Sequence, residues 1–158
     1  MDFKWNKDTK KIEGVENRRA TTGSMELVVE APGQQPHILK SHRMTLGYLG
    51  PSPIVETHFG PGEDESNLSL MFIKPLAPDT AYLIGNPFAG GDADVFASFH
   101  YVAEAGGGVG EGVLHITEFV QSDQGLNLIG RFRFHYNVEG GAVSVNCESF
   151  NVEHKQNK

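Results

Sequence analysis

Cysteine is nearly absent from this chain: Cys147 is the single one in 158 residues. That excludes an intrachain disulfide and a thiolate-rich metal cage, so packing must hold the fold together. Long apolar runs are absent as well. The opening MDFKWNKDTKK lacks the hydrophobic stretch of a secretory signal, and no segment approaches the roughly 18 apolar residues of a spanning helix. These absences predict a soluble, cytoplasmic protein, or an exported one whose leader this sequence does not include. Basic charge is also scarce, with 13 Lys and Arg against 20 Asp and Glu and a formal net charge of -7. The densest basic stretch, KDTKK followed by ENRR, is broken by Asp8, Glu13 and Glu16. A stripe able to displace counterions from phosphates is missing, which excludes nucleic acid as the expected partner.

Helical periodicity is the next absence. What is present instead is alternation, with apolar residues recurring at every second position between clusters of glycine and proline. Strands are expected near 24–31, 37–49, 53–59, 67–74, 80–85, 93–103, 113–120, 126–138 and 142–152. The 19 glycines and 8 prolines fall mostly between them, in APGQQP, GPSP, FGPGEDESN, PLAPDT, NPFAGGD, EAGGGVGEG and VEGG. The chain therefore reads as all-β, a two-sheet antiparallel β-sandwich of about eight or nine strands, with a closed β-barrel as the alternative. With 39% hydrophobic and 21% charged residues it can bury one core, so residues 1–158 are expected to form a single domain, residues 1–23 being a polar amino-terminal arm with FKW as a short hairpin.

RFRFHYNV, residues 131–138, alternates without a break. If Gly140–Gly141 forms a tight turn, Val138 faces Val143, Tyr136 faces Val145 and Phe134 faces Cys147, making one face apolar and placing Cys147 in the core. On the other face Arg133 would oppose Glu148, and His135 would oppose Asn146. Arg131, Arg133 and His135 are the candidate binding residues, set against the ordinary reading of them as the wet side of an antiparallel sheet.

Of the seven histidines (37, 42, 58, 100, 115, 135 and 154), none lies in HExxH, HxH or a paired Cys/His array. His100, His115 and His135 occupy three successive expected strands and are the candidate metal ligands, since imidazoles from neighbouring strands can converge on zinc. GPGEDESN and GGDAD place carboxylates in loops that could hold calcium, without the fixed spacing of a calcium loop. No cofactor is therefore expected, zinc and calcium being the ions these side chains would suit. GGGVGEG, residues 106–112, has the glycines of a phosphate loop but leads into the strand VLHITEF rather than a helix, so it is expected to be a flexible hairpin loop. No G-x-S-x-G elbow or other catalytic motif occurs, and the candidate catalytic set is empty.

The successive stretches LAPDTAYLIG, ADVFASFHY, GEGVLHITEF, LIGRFRFHY and VSVNCESFNV resemble the carboxy-terminal half of an uncharacterised family of β-sandwich domains from bacterial lipoproteins. The family's pattern is a G-T-Y turn, a G-x-G-x-[IL]-x-I-T strand, a G-x-F-x-F strand and a final v-x-x-G-x-F strand. Ala81 stands near the family's turn glycine and Glu148 replaces its late glycine. The resemblance covers about half of the chain, implies the β-sandwich fold, and implies no catalytic residues.

The function expected from these observations is non-catalytic binding of another protein, as a small bacterial inhibitor or immunity-type protein or an accessory domain. Two alternatives stand beside it. One is a lipid- or sugar-binding cavity lined by Phe96, Phe99, Tyr101, Phe132, Phe134 and Tyr136. The other is a metal-dependent enzyme built on the strand histidines.

Overall fold

A computed structural model describes residues 3–6, 11–14, 21–60, 66–101 and 107–155. The strands are β1 (Phe3–Asn6), β2 (Lys11–Gly14), β3 (Thr21–Glu30), β4 (His37–Leu49), β5 (Ser52–Phe59), β6 (Ser66–Phe72), β7 (Thr80–Ile84), β8 (Val95–His100), β9 (Gly108–Val109), β10 (Glu111–Ser122), β11 (Gly125–Val138) and β12 (Gly141–Lys155). The fold is all-β, as the alternation implies. The only helical element among the described residues is one 3-10 turn, Pro87–Ala89, and no helix there is long and apolar enough to cross a membrane.

β1 and β2 form a separate hairpin. The other strands form one ten-stranded sheet in the order β6-β5-β4-β3-β12-β11-β10-β7-β8-β9, and β6 also pairs with β8. The ladder thus returns to its starting strand. Every pairing is antiparallel except β7 with β8, which meet in parallel through Ile84 and Val95. Residues 21–23, expected in the amino-terminal arm, belong to β3. Residues 102–103 of the expected strand 93–103, and the carboxylates of GPGEDESN, lie outside the described residues.

The inner face carries the apolar phase of each strand, such as Leu27 and Val29, Leu68 and Leu70, Ala97 and Phe99, and Val143 and Val145, all buried in one cluster. Phe99 stacks on Tyr101 and meets Phe134 and Tyr136 edge-on, while Phe132 stacks on Phe134 and tilts against Phe150. Five of the six aromatics considered as a cavity lining therefore fill the core. Phe96 is on the other face of β8, edge-on to Phe88.

The β11–β12 register differs from the sequence expectation by two residues. Val138 pairs with Gly141, Tyr136 with Val143, Phe134 with Val145 and Phe132 with Cys147. The turn centres on Glu139–Gly140, with Gly140 at φ 92 supplying the left-handed backbone. A slip by an even number leaves both faces intact but changes every partner. Arg133 consequently opposes Asn146, and His135 opposes Ser144. Cys147 is buried, and loss of solvent pushes its thiol up to about 11, so it is a packing residue and not a nucleophile at neutral pH.

The expected flexible loop at GGGVGEG is largely strand. A Cβ on Gly108 would overlap the Tyr136 ring, one on Gly110 the Phe134 ring, and one on Gly112 the backbone of Arg133. The alternating glycines give the core aromatics room to lie directly against the backbone of β9 and β10.

Candidate binding groove on the outer face

The ladder register determines which outer-face residues become neighbours. Leu83 on β7 pairs with Val113 on β10, Val113 with Arg133 on β11, Arg133 with Asn146 on β12, Asn146 with Val28 on β3, and Val28 with Ile38 on β4. A second row, two residues along, runs Glu111, His135, Ser144, Glu30. At about 4.8 Å between strands, the first row spans roughly 24 Å.

Both rows, without Ile38, floor a groove of about 800 Å³. One wall is the segment from Gly85 to Asp92, which contributes Asn86, Ala89 and Asp92 to the lining. Local chemistry builds that wall. Asn86 accepts a hydrogen bond from Phe88 N at 3.0 Å, Pro87 occupies the first position of the turn, and Gly90 ends it at φ 83. The wall is tied down at both ends. Gly85 N donates to Val95 O at 3.0 Å, Asp94 N donates to Leu83 O at 2.8 Å, and Leu83 N donates to the Asp94 carboxylate at 2.8 Å.

Three carboxylates (Glu30, Asp92, Glu111) and two basic side chains (Arg133, His135) line the groove. Among the described residues, no side-chain hydrogen bond or ion pair engages Arg131, Arg133 or His135. The groove floor is also apolar in an unusual way: Leu83 is 48% exposed and Val113 46%, and Ile38 (55%) extends the same row. Phe88, in the wall turn, is 77% exposed. Exposed apolar side chains beside an arginine with no partner among the described residues set this stretch apart from an all-polar outer face of a sheet.

Of the candidate binding residues, Arg133 and His135 line the groove. Arg131 is exposed on the same face but outside it, opposite His115. The structure does not bring the candidate metal ligands together. His115 pairs with Arg131, whereas His135 pairs with Glu111, a separation of four residues or about 13 Å along the ladder. His100 lies on β8 opposite Asn67, three strands further round the ladder from β11. His115 instead has its Nε2 3.4 Å from the carboxylate of Asp79. Among the described residues no group of three His, Cys, Asp or Glu side chains could hold a metal ion. In GGDAD, Asp94 is occupied by the backbone of Leu83 and Asp92 faces the groove.

Sequence reasoning missed Val28, Glu30, Leu83, Val113 and the Asn86–Asp92 wall. A signal existed: YLI at 82–84 and VL at 113–114 place apolar residues on both phases of the alternation, so one of each must face outward. Comparison with protein-family models, with curated proteins and with solved structures gives no match for this chain.

Proposed function

We propose that this chain is a non-catalytic binding protein that holds another protein across the outer-face groove, with Arg133 as the central anchor. The observation that carries this reading is the row Leu83, Val113, Arg133, Asn146, Val28, in which a guanidinium without a partner among the described residues has exposed Val113 on one side, Asn146 on the other, and exposed Leu83 beyond Val113. Arginine is favoured at the centre of interfaces because it makes bidentate bonds to carboxylates while its stem packs on apolar neighbours. The fitting partner segment brings a carboxylate to Arg133 and basic groups to Glu30, Asp92 and Glu111. The chain's charge of -7 favours approach of a basic partner, and the tethered wall means little ordering is needed on binding. The resemblance to lipoprotein β-sandwich domains, which implies no catalytic residues, agrees with this reading.

The test is hydrogen–deuterium exchange on a complex captured from cells that make the protein. Protection is expected at 28–30, 83–92, 111–113, 133–135 and 144–146. A complex that protects other strands and leaves these unchanged would overturn the assignment.

A further inference from the structure

A second concavity lies at one end of the ladder, away from the groove. Its lining comes from strand ends, with Tyr48 near the end of β4, Pro53 at the start of β5, Phe72 at the end of β6, Phe119 near the end of β10 and Leu126 at the start of β11. Its volume is about 320 Å³, within the range of small-molecule sites.

The segment after β6 forms one wall and is held rigidly. Ile73 N and Lys74 N both donate to Asp94 O, at 2.9 and 3.2 Å. The buried Tyr82 hydroxyl donates to Pro75 O and accepts from Ala77 N, each at 2.9 Å. Leu76 is thereby fixed against the cavity. Pro51, Pro53 and Pro75 also line it, and none has an N–H to offer a polar ligand. Partial burial raises the pKa of the Tyr48 hydroxyl. The lining's one charged side chain is Lys74, 59% exposed and only loosely paired, with Nζ 3.8 Å from Asp94. The cavity therefore combines apolar side chains with the polar Tyr48 and Gln121, and has one exposed cation, Lys74, beside it.

We propose that this end cavity binds a single-chain anionic amphiphile, its alkyl chain against Phe72, Leu76, Phe119 and Leu126 and its head group at Lys74. A neutral chain would gain the same apolar contacts but not the charge-assisted bond.

Decanoate and decanol titrated into the full chain below their aggregation concentrations, followed by calorimetry and amide chemical shifts, test this. Decanoate should bind saturably at one site, with shifts at Tyr48, Phe72, Leu76, Phe119 and Leu126 and none at Arg133 or Val113. Lys74→Gln should weaken decanoate about tenfold, to the affinity of decanol, and leave decanol unchanged. Leu76→Trp, checked for wild-type circular dichroism, should abolish both by filling the cavity. Absence of saturable binding, shifts centred on the groove, or decanoate binding indifferent to both substitutions would each overturn the proposal.

Discussion

Two rows of residues, one position apart on the same five strands, do opposite work. The inner row, Ile84, Gly112, Phe134, Val145, Val29, is sealed: every member but the glycine is buried, and at the glycine the backbone of Arg133 and Phe134 comes too close to leave room for a side chain. The outer row, Leu83, Val113, Arg133, Asn146, Val28, has the same backbone hydrogen bonds beneath it, yet its central arginine has no partner among the described residues. The strands therefore owe their stability mainly to one row, and the composition of the other is free of that constraint, which is what the proposed binding role requires.

Substitutions can break that contrast in order of expected size. Phe134→Ala should lose about 3–5 kcal/mol in denaturant unfolding, because the ring stacks on Phe132 and meets Phe99 edge-on and its removal leaves a cavity. Gly110→Val should lose about 1–3 kcal/mol by forcing a side chain into that same ring. Pairing it with Phe134→Leu should recover part of the loss, whereas simple additivity of the two changes would mean they do not touch.

His154 gives a smaller, pH-dependent effect. It is 2% exposed, its Nδ1 lies 2.7 Å from Thr21 Oγ1, and burial lowers its pKa from the ordinary 6.5. The unfolded chain takes up this proton first as the pH falls. Stability is therefore complete above about 6.5 and declines below it, toward the lower folded value, by at most about 1.4 kcal/mol per pH unit. His154→Asn should flatten the stability profile between pH 6.5 and 5 relative to the wild type; an unchanged slope would show that other groups carry it. Smallest of all, Arg133→Ala should shift unfolding by no more than about 0.5 kcal/mol, since no folded-state partner is lost.

The faces of the strands were legible because alternation survives even where register does not: Phe132, Phe134 and Tyr136 point inward under either pairing of β11 with β12. The partners were not legible, because the choice between a Glu139–Gly140 and a Gly140–Gly141 turn rests on small backbone differences that two adjacent glycines leave open. The register of β12 shifts between Asn146 and Phe150, and this bulge leaves a trace in the sequence, since Cys147 and Phe150 are both buried with Glu148 and Ser149 exposed between them, a phase break visible in NCESF. GGGVGEG misled because glycine was read as chain freedom, when at Gly108 and Gly110 it supplies space for rings from β11. The groove was hidden for a different reason. Residues 28, 83, 113, 133 and 146 are brought together only by four successive strand registers, and no local pattern encodes those.

The division between a row that folds the chain and a row proposed to recognise a partner is tested most directly by one double variant, Val113→Asp with Arg133→Glu. Its denaturant unfolding curve is to be measured beside its retention of the partner captured by the wild type. The expected result is an unfolding free energy within about 1 kcal/mol of wild type together with loss of the partner. Full retention of that partner by a folded double variant would contradict the account.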